Sequence, residues 1–434
     1  MNLLTYNLLG LKPKAFGLEI ENCSVKAVYL EKKRNKFRLV SCGRKIMPRG
    51  IVQSEQIINP KKLAEEIKIL LGSAQPKSIK TKNVIFSIPE TKAFIRTIEI
   101  PKMTAKEARE AVKWETEANI PISVDKVYLD WQVIDSKEEK EEILVVAVPK
   151  NIVDAYYEAA ILAGLTPLAV EVDVVATIRS LTGQAESIQP VLIADIGADN
   201  TSLAICQNQV PYFTSSIPLS GNTFTEAIQK ELGVDWEKAE EIKFKFGLGG
   251  MTDEDMLYKV FNPLIENLAS EIEKSINFFA ESINKSEKVE KVILSGGGAM
   301  LHEFSSYLSS RLKMEIVIGD PLFQIDINNF PYKISSRDLL SYSTAIGLAL
   351  RGADYENGNQ CPSGQAKREN KRRKKNRFCA EDGLCFCRGS FACQCRPVFH
   401  ANSPQYRISV SEKIKRDITL KKPRKGESTG KSFS

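Results

Sequence analysis

Short apolar runs alternate along this chain with segments of helical period, and the order of the two kinds gives the first view of its architecture. Residues 15–20 (Ala-Phe-Gly-Leu-Glu-Ile) are apolar but for Glu19. A polar turn follows, and 25–30 are apolar again but for Lys26, the pattern of two strands in a hairpin. Residues 37–47 continue as a third strand. Across 60–71, Leu63, Ile67 and Leu70 repeat at i, i+4 and i+7, which predicts a helix lying on a sheet. A further strand is expected at 83–88, stopped by Pro89. The same plan returns at 191–206, Val-Leu-Ile-Ala-Asp-Ile-Gly-Ala-Asp-Asn-Thr-Ser-Leu-Ala-Ile-Cys: strand, acid (Asp195), turn, strand. Two such hairpins predict a duplicated α/β architecture with a cleft between its halves.

Between them, 92–150 reads as an inserted subdomain. It has a strand at 93–100, a helix at 105–119 opened by Thr104 and Glu107 in a capping-box pattern and ended by Pro121, then strands at 128–133 and 143–148. A helix at 151–163 closes on Gly164. A strand at 165–172 and a helix at 173–181 follow, the latter expected to cross between halves. After 214–219, Ser-Gly-Asn-Thr-Phe-Thr (220–225) opens a helix whose first amides are expected to be free for an anion; a plain N-cap is the alternative. A helix at 235–246 sets Glu240 and Lys243 one turn apart, facing one ligand or each other. A long amphipathic helix at 257–285 leads to a strand at 289–294, then Ser-Gly-Gly-Gly-Ala, another helix, and a strand at 315–318. A small-residue helix at 341–350 returns to the first half. The expected divisions are 1–91, 92–150, 151–351 and 352–434.

Charge changes this picture only at the end of the chain. Of the net +7, segment 352–434 carries +11, with 19 Lys/Arg against 8 Asp/Glu, leaving −4 on residues 1–351. The body therefore makes no electrostatic case for nucleic acid. Cys23, Cys42 and Cys206 are scattered in it, as in a reduced cytosolic protein. His302 is its single histidine, which disfavours Ser-His-Asp, Cys-His and histidine-rich zinc chemistry. The other six cysteines (Cys361, Cys379, Cys385, Cys387, Cys393, Cys395) and His400 lie in the tail. Cys-x-Cys twice departs from the usual zinc-knuckle spacing. The tail reads as disordered or as sequence foreign to the body, such as an out-of-frame readthrough. No run of about 18 apolar residues spans a membrane. The leucine-rich start lacks the basic region and cleavage site of a secretory signal and reads as a capping segment.

Candidate chemistry gathers at the turns. Gly197 lets backbone approach a ligand, successive amides there can cradle phosphate, and Asp195 at the strand's end can hold Mg²⁺ through water. The alternative is an Asp/Gly/Asn hairpin turn that binds nothing. Gly296, Gly297 and Gly298 after a strand suit a nucleotide lying against backbone. They lack the Lys-Ser/Thr of a P-loop and the dinucleotide glycine spacing, and a tight strand-to-helix turn is the alternative.

Leu-Lys-Pro-Lys-Ala-Phe-Gly-Leu-Glu-Ile (11–20), Ile-Pro-Lys-Met (100–103), Leu-Asp-Trp-Gln-Val-Ile (129–134), the hairpin at 194–201, Ala-Glu-Glu-Ile-Lys (239–243) and Ser-Gly-Gly-Gly (295–298) are jointly specific. Over about 10–351 the chain resembles the actin-like (ribonuclease H-like) ATPase fold and, within it, the PilM family of type IV pilus assembly proteins, related to FtsA. The resemblance implies a cytoplasmic protein holding ATP and Mg²⁺ between its halves. Glu19, Asn22, Ser24 and Lys26 of one hairpin and Asp195, Gly197, Asn200 and Thr201 of the other would grip the phosphates, with Gly221 and Asn222 alongside. Asp195 would position Mg²⁺, Glu240 and Lys243 would touch ribose or base, and Gly296, Gly297 and Gly298 would underlie the adenosine. It also implies a partner, the short cytoplasmic tail of a PilN-type membrane protein beside 92–150, with other pilus platform and motor proteins beyond it. Membrane contact would then be indirect and peripheral. Where such proteins usually read Asp-Ile-Gly, this chain has Glu19-Ile20-Glu21, placing a negative side chain where the γ-phosphate would come. Weak or no turnover is the expectation. A small-molecule phosphotransferase, for which Asp195 is the single candidate carboxylate, and an FtsA-like polymer-forming protein are the alternatives.

Overall fold

The computed structural model describes residues 14–354, apart from 34–35, 121, 137, 183–188, 249–255, 285–286, 329 and 333. The leucine-rich start, Pro121, and the tail with its six cysteines and His400 lie outside the described residues.

Strand β1 (Phe16–Ile20) is buried at every position, as befits a central strand covered on both faces. It pairs antiparallel with β2 (Ser24–Lys33), which pairs antiparallel with β3 (Lys36–Ile46). A small hairpin, β4 (Val52–Gln53) with β5 (Gln56–Ile57), precedes α1 (Pro60–Ser73). The Asn59 side chain caps α1 and Pro60 opens it, while Leu63, Ile67 and Leu70 are buried as their spacing requires. Strand β6 (Asn83–Ile88) then runs parallel to β1.

The inserted unit comprises β7 (Phe94–Pro101), α2 (Ala105–Asn119), β8 (Val127–Ser136) and β9 (Lys140–Pro149), with its strands ordered β7-β9-β8. Ala108 and Val112 of α2 pack on Ile100, Ile143 and Val145. Next, α3 (Lys150–Leu162) leads into β10 (Thr166–Val172), parallel to β6, and α4 (Asp173–Thr182) crosses to the second half.

There β11 (Val191–Ile196), β12 (Thr201–Gln207) and β13 (Val210–Ile217) form an antiparallel meander. Helices α5 (Gly221–Leu232), α6 (Trp236–Phe246) and α7 (Met256–Phe278) follow, then β14 (Lys291–Ser295), parallel to β11. After α8 (Phe304–Leu312), β15 (Glu315–Ile318) runs parallel to β14. Strand β16 (Ile325–Asp326) returns to the edge of the first sheet beside β3, and α9 (Ser336–Ser341) and α10 (Ser343–Ala353) end the described chain. Two helices differ from expectation. The α-helical part of 257–285 stops at Phe278, with a π-helical turn over Phe279–Ile283. After the glycines a 3₁₀ turn, Gly297–Met300, precedes a helix that begins only at Phe304.

Read outward from each meander, the sheets run β3-β2-β1-β6-β10 and β13-β12-β11-β14-β15, one plan used twice. The halves meet where α4 crosses α10. A Cβ on Gly347 would strike the Ala176 carbonyl, so the glycine permits the close approach. The Thr177 and Thr344 hydroxyls meet at 2.9 Å there. Arg179 grips buried Glu171 at 2.5 and 2.7 Å, and Arg351 reaches the same carboxylate at 3.0 Å.

Candidate functional site

Register places the chemistry. Glu19 lies opposite Lys26 across β1–β2, and Asp195 opposite Ser202 across β11–β12. Each acid is the last residue but one of its strand, and the two turns face each other. Asn22 Nδ2 of the first tip donates to Asp199 Oδ2 of the second at 2.8 Å. Between them lies a cavity of ≈ 80 Å³ whose walls include Glu19, Glu21, Glu55, Asp173, Asp195 and Asp199.

So many carboxylates in one place reshape one another's titration. Burial pushes Glu19 up to about 7; Lys26 opposes this, and the charges of Glu21 and Asp195 add to it. Asp195 rises to about 6 through burial, against the pull of Lys26 and a hydrogen bond from Ser295. Asp173 is held well above the usual carboxylate range by burial and by Glu90. Glu21 goes the other way. Burial would raise it, but Lys26 and the Ser24 hydroxyl carry it below its ordinary value. The Lys26 ammonium is itself buried, 2.7 Å from Glu21 Oε1 and 3.4 Å from Glu19 Oε2, and those carboxylates keep its proton on.

The expected contacts divide by what they touch. Asn22, Glu19, Asp195, Gly197 and Asn200 line the cavity. Ser24 Oγ and Lys26 Nζ both donate to Glu21. Thr201 turns away, its buried hydroxyl donating to the Leu219 carbonyl at 2.6 Å. Gly197 makes the tight turn, since a Cβ there would lie 2.9 Å from the Asn200 carbonyl oxygen.

The expectation of free amides at the start of α5 is corrected. Gly221 N donates to Gly197 O at 2.8 Å, Asn222 N to Ala198 O at 3.1 Å, and Thr223 N to the Ser220 side chain at 3.2 Å. Those amides grip the second tip because the tip's carbonyls point at them. Glu240 and Lys243 do meet one turn apart, with Glu240 half-buried and Lys243 turned inward. Lys243 is buried, with Nζ donating to Gly221 O at 2.9 Å, to Thr225 Oγ1 at 2.6 Å and to Glu240.

The three glycines, alike in sequence, are unlike in space. Gly296 has φ +80°, and a Cβ there would strike the Ile196 carbonyl. One on Gly298 would strike the Ile196 side chain. Gly297 has nothing within 4 Å of its absent Cβ, so it alone leaves open room.

Sequence reasoning missed Glu55, Glu90 and Asp173. Asp173 carried a signal, an acid at a strand's end like Glu19 and Asp195; its Oδ1 accepts from Val174 N at 2.6 Å and Glu90 N at 3.0 Å. Glu55, in a Gln-Ser-Glu-Gln turn without glycine, carried none.

For Mg²⁺ the donors fit. Glu19 Oε2 is buried and accepts no hydrogen bond among the described residues, its neighbour being the Lys26 ammonium at 3.4 Å, and Asp195 lines the same cavity. Magnesium takes few carboxylates and keeps much of its water, so the pair Glu19 and Asp195 suits it. For a terminal phosphate the fit is worse, because Ser24, Lys26 and Asn200 already serve the protein's own carboxylates.

Duplicated sheets with facing acid-tipped hairpins define an actin-like protein. The sequence profile described as type IV pilus assembly protein PilM matches residues 17–353. The chain belongs to the PilM family. A solved chain of the PilM-PilN type IV pilus biogenesis complex is 29% identical, with a TM-score of 0.69, over 79% of this chain and 99% of that one. The cell division protein FtsA of Buchnera aphidicola is 26% identical over 190 residues, 38% of this chain and 45% of that protein, so the match spans under half of that relative. MreB5 of Spiroplasma citri bound to AMPPNP matches at 13% identity and a TM-score of 0.46, covering 85% and 99% of the two chains.

Proposed function

We propose that this chain is a cytoplasmic scaffold of type IV pilus assembly that holds ATP with Mg²⁺ between its halves and docks the short cytoplasmic tail of a PilN-type membrane protein. The observation that carries the reading is the match spanning nearly the whole of a chain in the PilM-PilN complex. Through that partner the protein would reach other platform and motor proteins. No helix among the described residues is long and apolar enough to cross a membrane, and membrane contact would run through the partner.

Within the cleft, Glu19 and Asp195 are the side chains suited to hold Mg²⁺ through water, and the ion would supply positive charge among the carboxylates. Gly297 leaves room for the adenosine. Glu21 beside this site opposes a terminal phosphate by charge, which supports weak turnover. Titrating the full chain with a fluorescent ATP analogue and Mg²⁺, beside Asp195→Ala, tests the nucleotide half. Saturable binding weakened about tenfold in the variant, some 1.4 kcal/mol, is expected. No binding at millimolar analogue overturns it.

A further inference from the structure

The polar donors around the cleft are met by carboxylates of the protein itself. Glu21 accepts from Ser24 Oγ and from Lys26 Nζ. Buried ammonium and hydroxyl donors behind a cavity wall make an anion site by their chemistry, and here Glu21, which lines the cavity, supplies the anion from the same hairpin.

Glu55 does the same from the β4–β5 turn, across the halves. Its Oε1 accepts from Asn200 Nδ2 of the second half at 2.9 Å. Its Oε2 accepts from Thr91 Oγ1 and lies 3.8 Å from Lys92 Nζ. Its backbone N–H donates to Asn22 Oδ1 at 2.8 Å, while Asn22 Nδ2 reaches Asp199, which also accepts from Asn222. The Tyr156 hydroxyl holds the Glu55 carbonyl at 3.2 Å. One polar chain thus runs from Tyr156 in the first half to the start of α5 in the second.

Backbone geometry points the same way. Ser54 and Glu55 have φ of 45° and 61°, a two-residue turn with both positions left-handed, where glycine, asparagine or aspartate is the rule. A glutamate persists there only because its surroundings fix it on several sides, and such strain gathers at switch regions.

We propose that Glu21 and Glu55 are built-in anions: Glu21 takes the Ser24 and Lys26 donors of its own hairpin, Glu55 ties the first half to Asn200 of the second, and a phosphate-bearing ligand must displace them to enter. This describes how the same cleft is regulated, and it rests on the nucleotide reading only for the identity of the competing ligand.

The test uses the full chain, Glu55→Gly, and the double variant Glu21→Gln/Glu55→Gly. Hydrogen exchange over residues 21–24, 55 and 197–200 is read without nucleotide, and affinity for the fluorescent ATP analogue with Mg²⁺ in parallel. The wild-type tips should exchange slowly. In the double variant they should exchange about tenfold faster, with analogue affinity rising by about the same factor. Wild-type exchange rates and unchanged affinity in the variant overturn the proposal, even where the wild type binds analogue well. Faster exchange with no analogue binding by either protein supports the tie and removes the nucleotide reading instead. Glu55→Gly places glycine at a left-handed position that suits it and retains the fold, so it carries the test should the double variant unfold.

Discussion

At the first hairpin Glu19-Ile20-Glu21 leads into a tip of residues 21–23; at the second, Asp195-Ile196-Gly197 leads into residues 197–200. The second tip is made by backbone. Gly197 N donates to Asn200 O at 2.9 Å, and the amides of Gly221 and Asn222 take the outward carbonyls. The first is made by side chains, with Glu21 drawn back onto Ser24 and Lys26. Opposite the strand acids stand Lys26 in one half and Ser202 in the other. A duplicated frame has therefore kept its geometry while concentrating buried charge in one copy. Backbone hydrogen bonds are indifferent to pH and to nearby anions, and the first tip's charges are sensitive to both.

The largest test of that asymmetry is Lys26→Met. It strands Glu19 and Glu21 without their cation, and urea denaturation should show a loss of about 3–5 kcal/mol. The corresponding Ser202→Ala should stay within about 0.5 kcal/mol. Equal losses at the two positions would show that the halves share one electrostatic design.

A smaller effect comes from pH. Glu19, raised to about 7, and Asp195, raised to about 6, retain protons in the folded protein that the unfolded chain releases near its ordinary carboxylate pKa. Stability should therefore fall as pH rises from about 4, where the unfolded carboxylates begin to ionise, to about 7, by about 1–3 kcal/mol. Glu21 has the opposite sign. Its lowered pKa stabilises the fold above the ordinary carboxylate range, and that contribution goes as pH falls through its folded value. Thermal melts of wild type and Glu19→Gln at pH 3, pH 5 and pH 8 separate the two effects. The variant should flatten the alkaline decline and leave the acid limb in place.

Thr201→Val makes the second hairpin match the first, where Val25 holds the equivalent place opposite Ile20. Loss of the bond to Leu219 should cost about 1 kcal/mol. Affinity for the ATP analogue should not change, and a fall would return the Thr201 hydroxyl to the site.

The hairpins were legible because a strand's alternation and an acid before a turn are local facts. So were the capping box at Thr104 and Glu107 and the closeness of Glu240 to Lys243, each set by a turn of helix. The use of Lys243 was not legible. Its ammonium is engaged by Gly221 and Thr225, residues on another helix. Nor could three consecutive glycines be told apart until Ile196 lay against two of them. Glu55 stayed hidden for the same reason, since its partners Asn22, Thr91, Tyr156 and Asn200 come from four separate segments.

The sequence by itself determined the repeated order of strands and helices and the acids at the strand ends, because periods of about 2 and 3.6 residues follow from backbone geometry within a few bonds. Tertiary structure decided which donors face a ligand and which face Glu21 or Glu55. A hydrogen bond forms only within about 3 Å, and residues far apart in the chain reach that distance only when the halves are packed together.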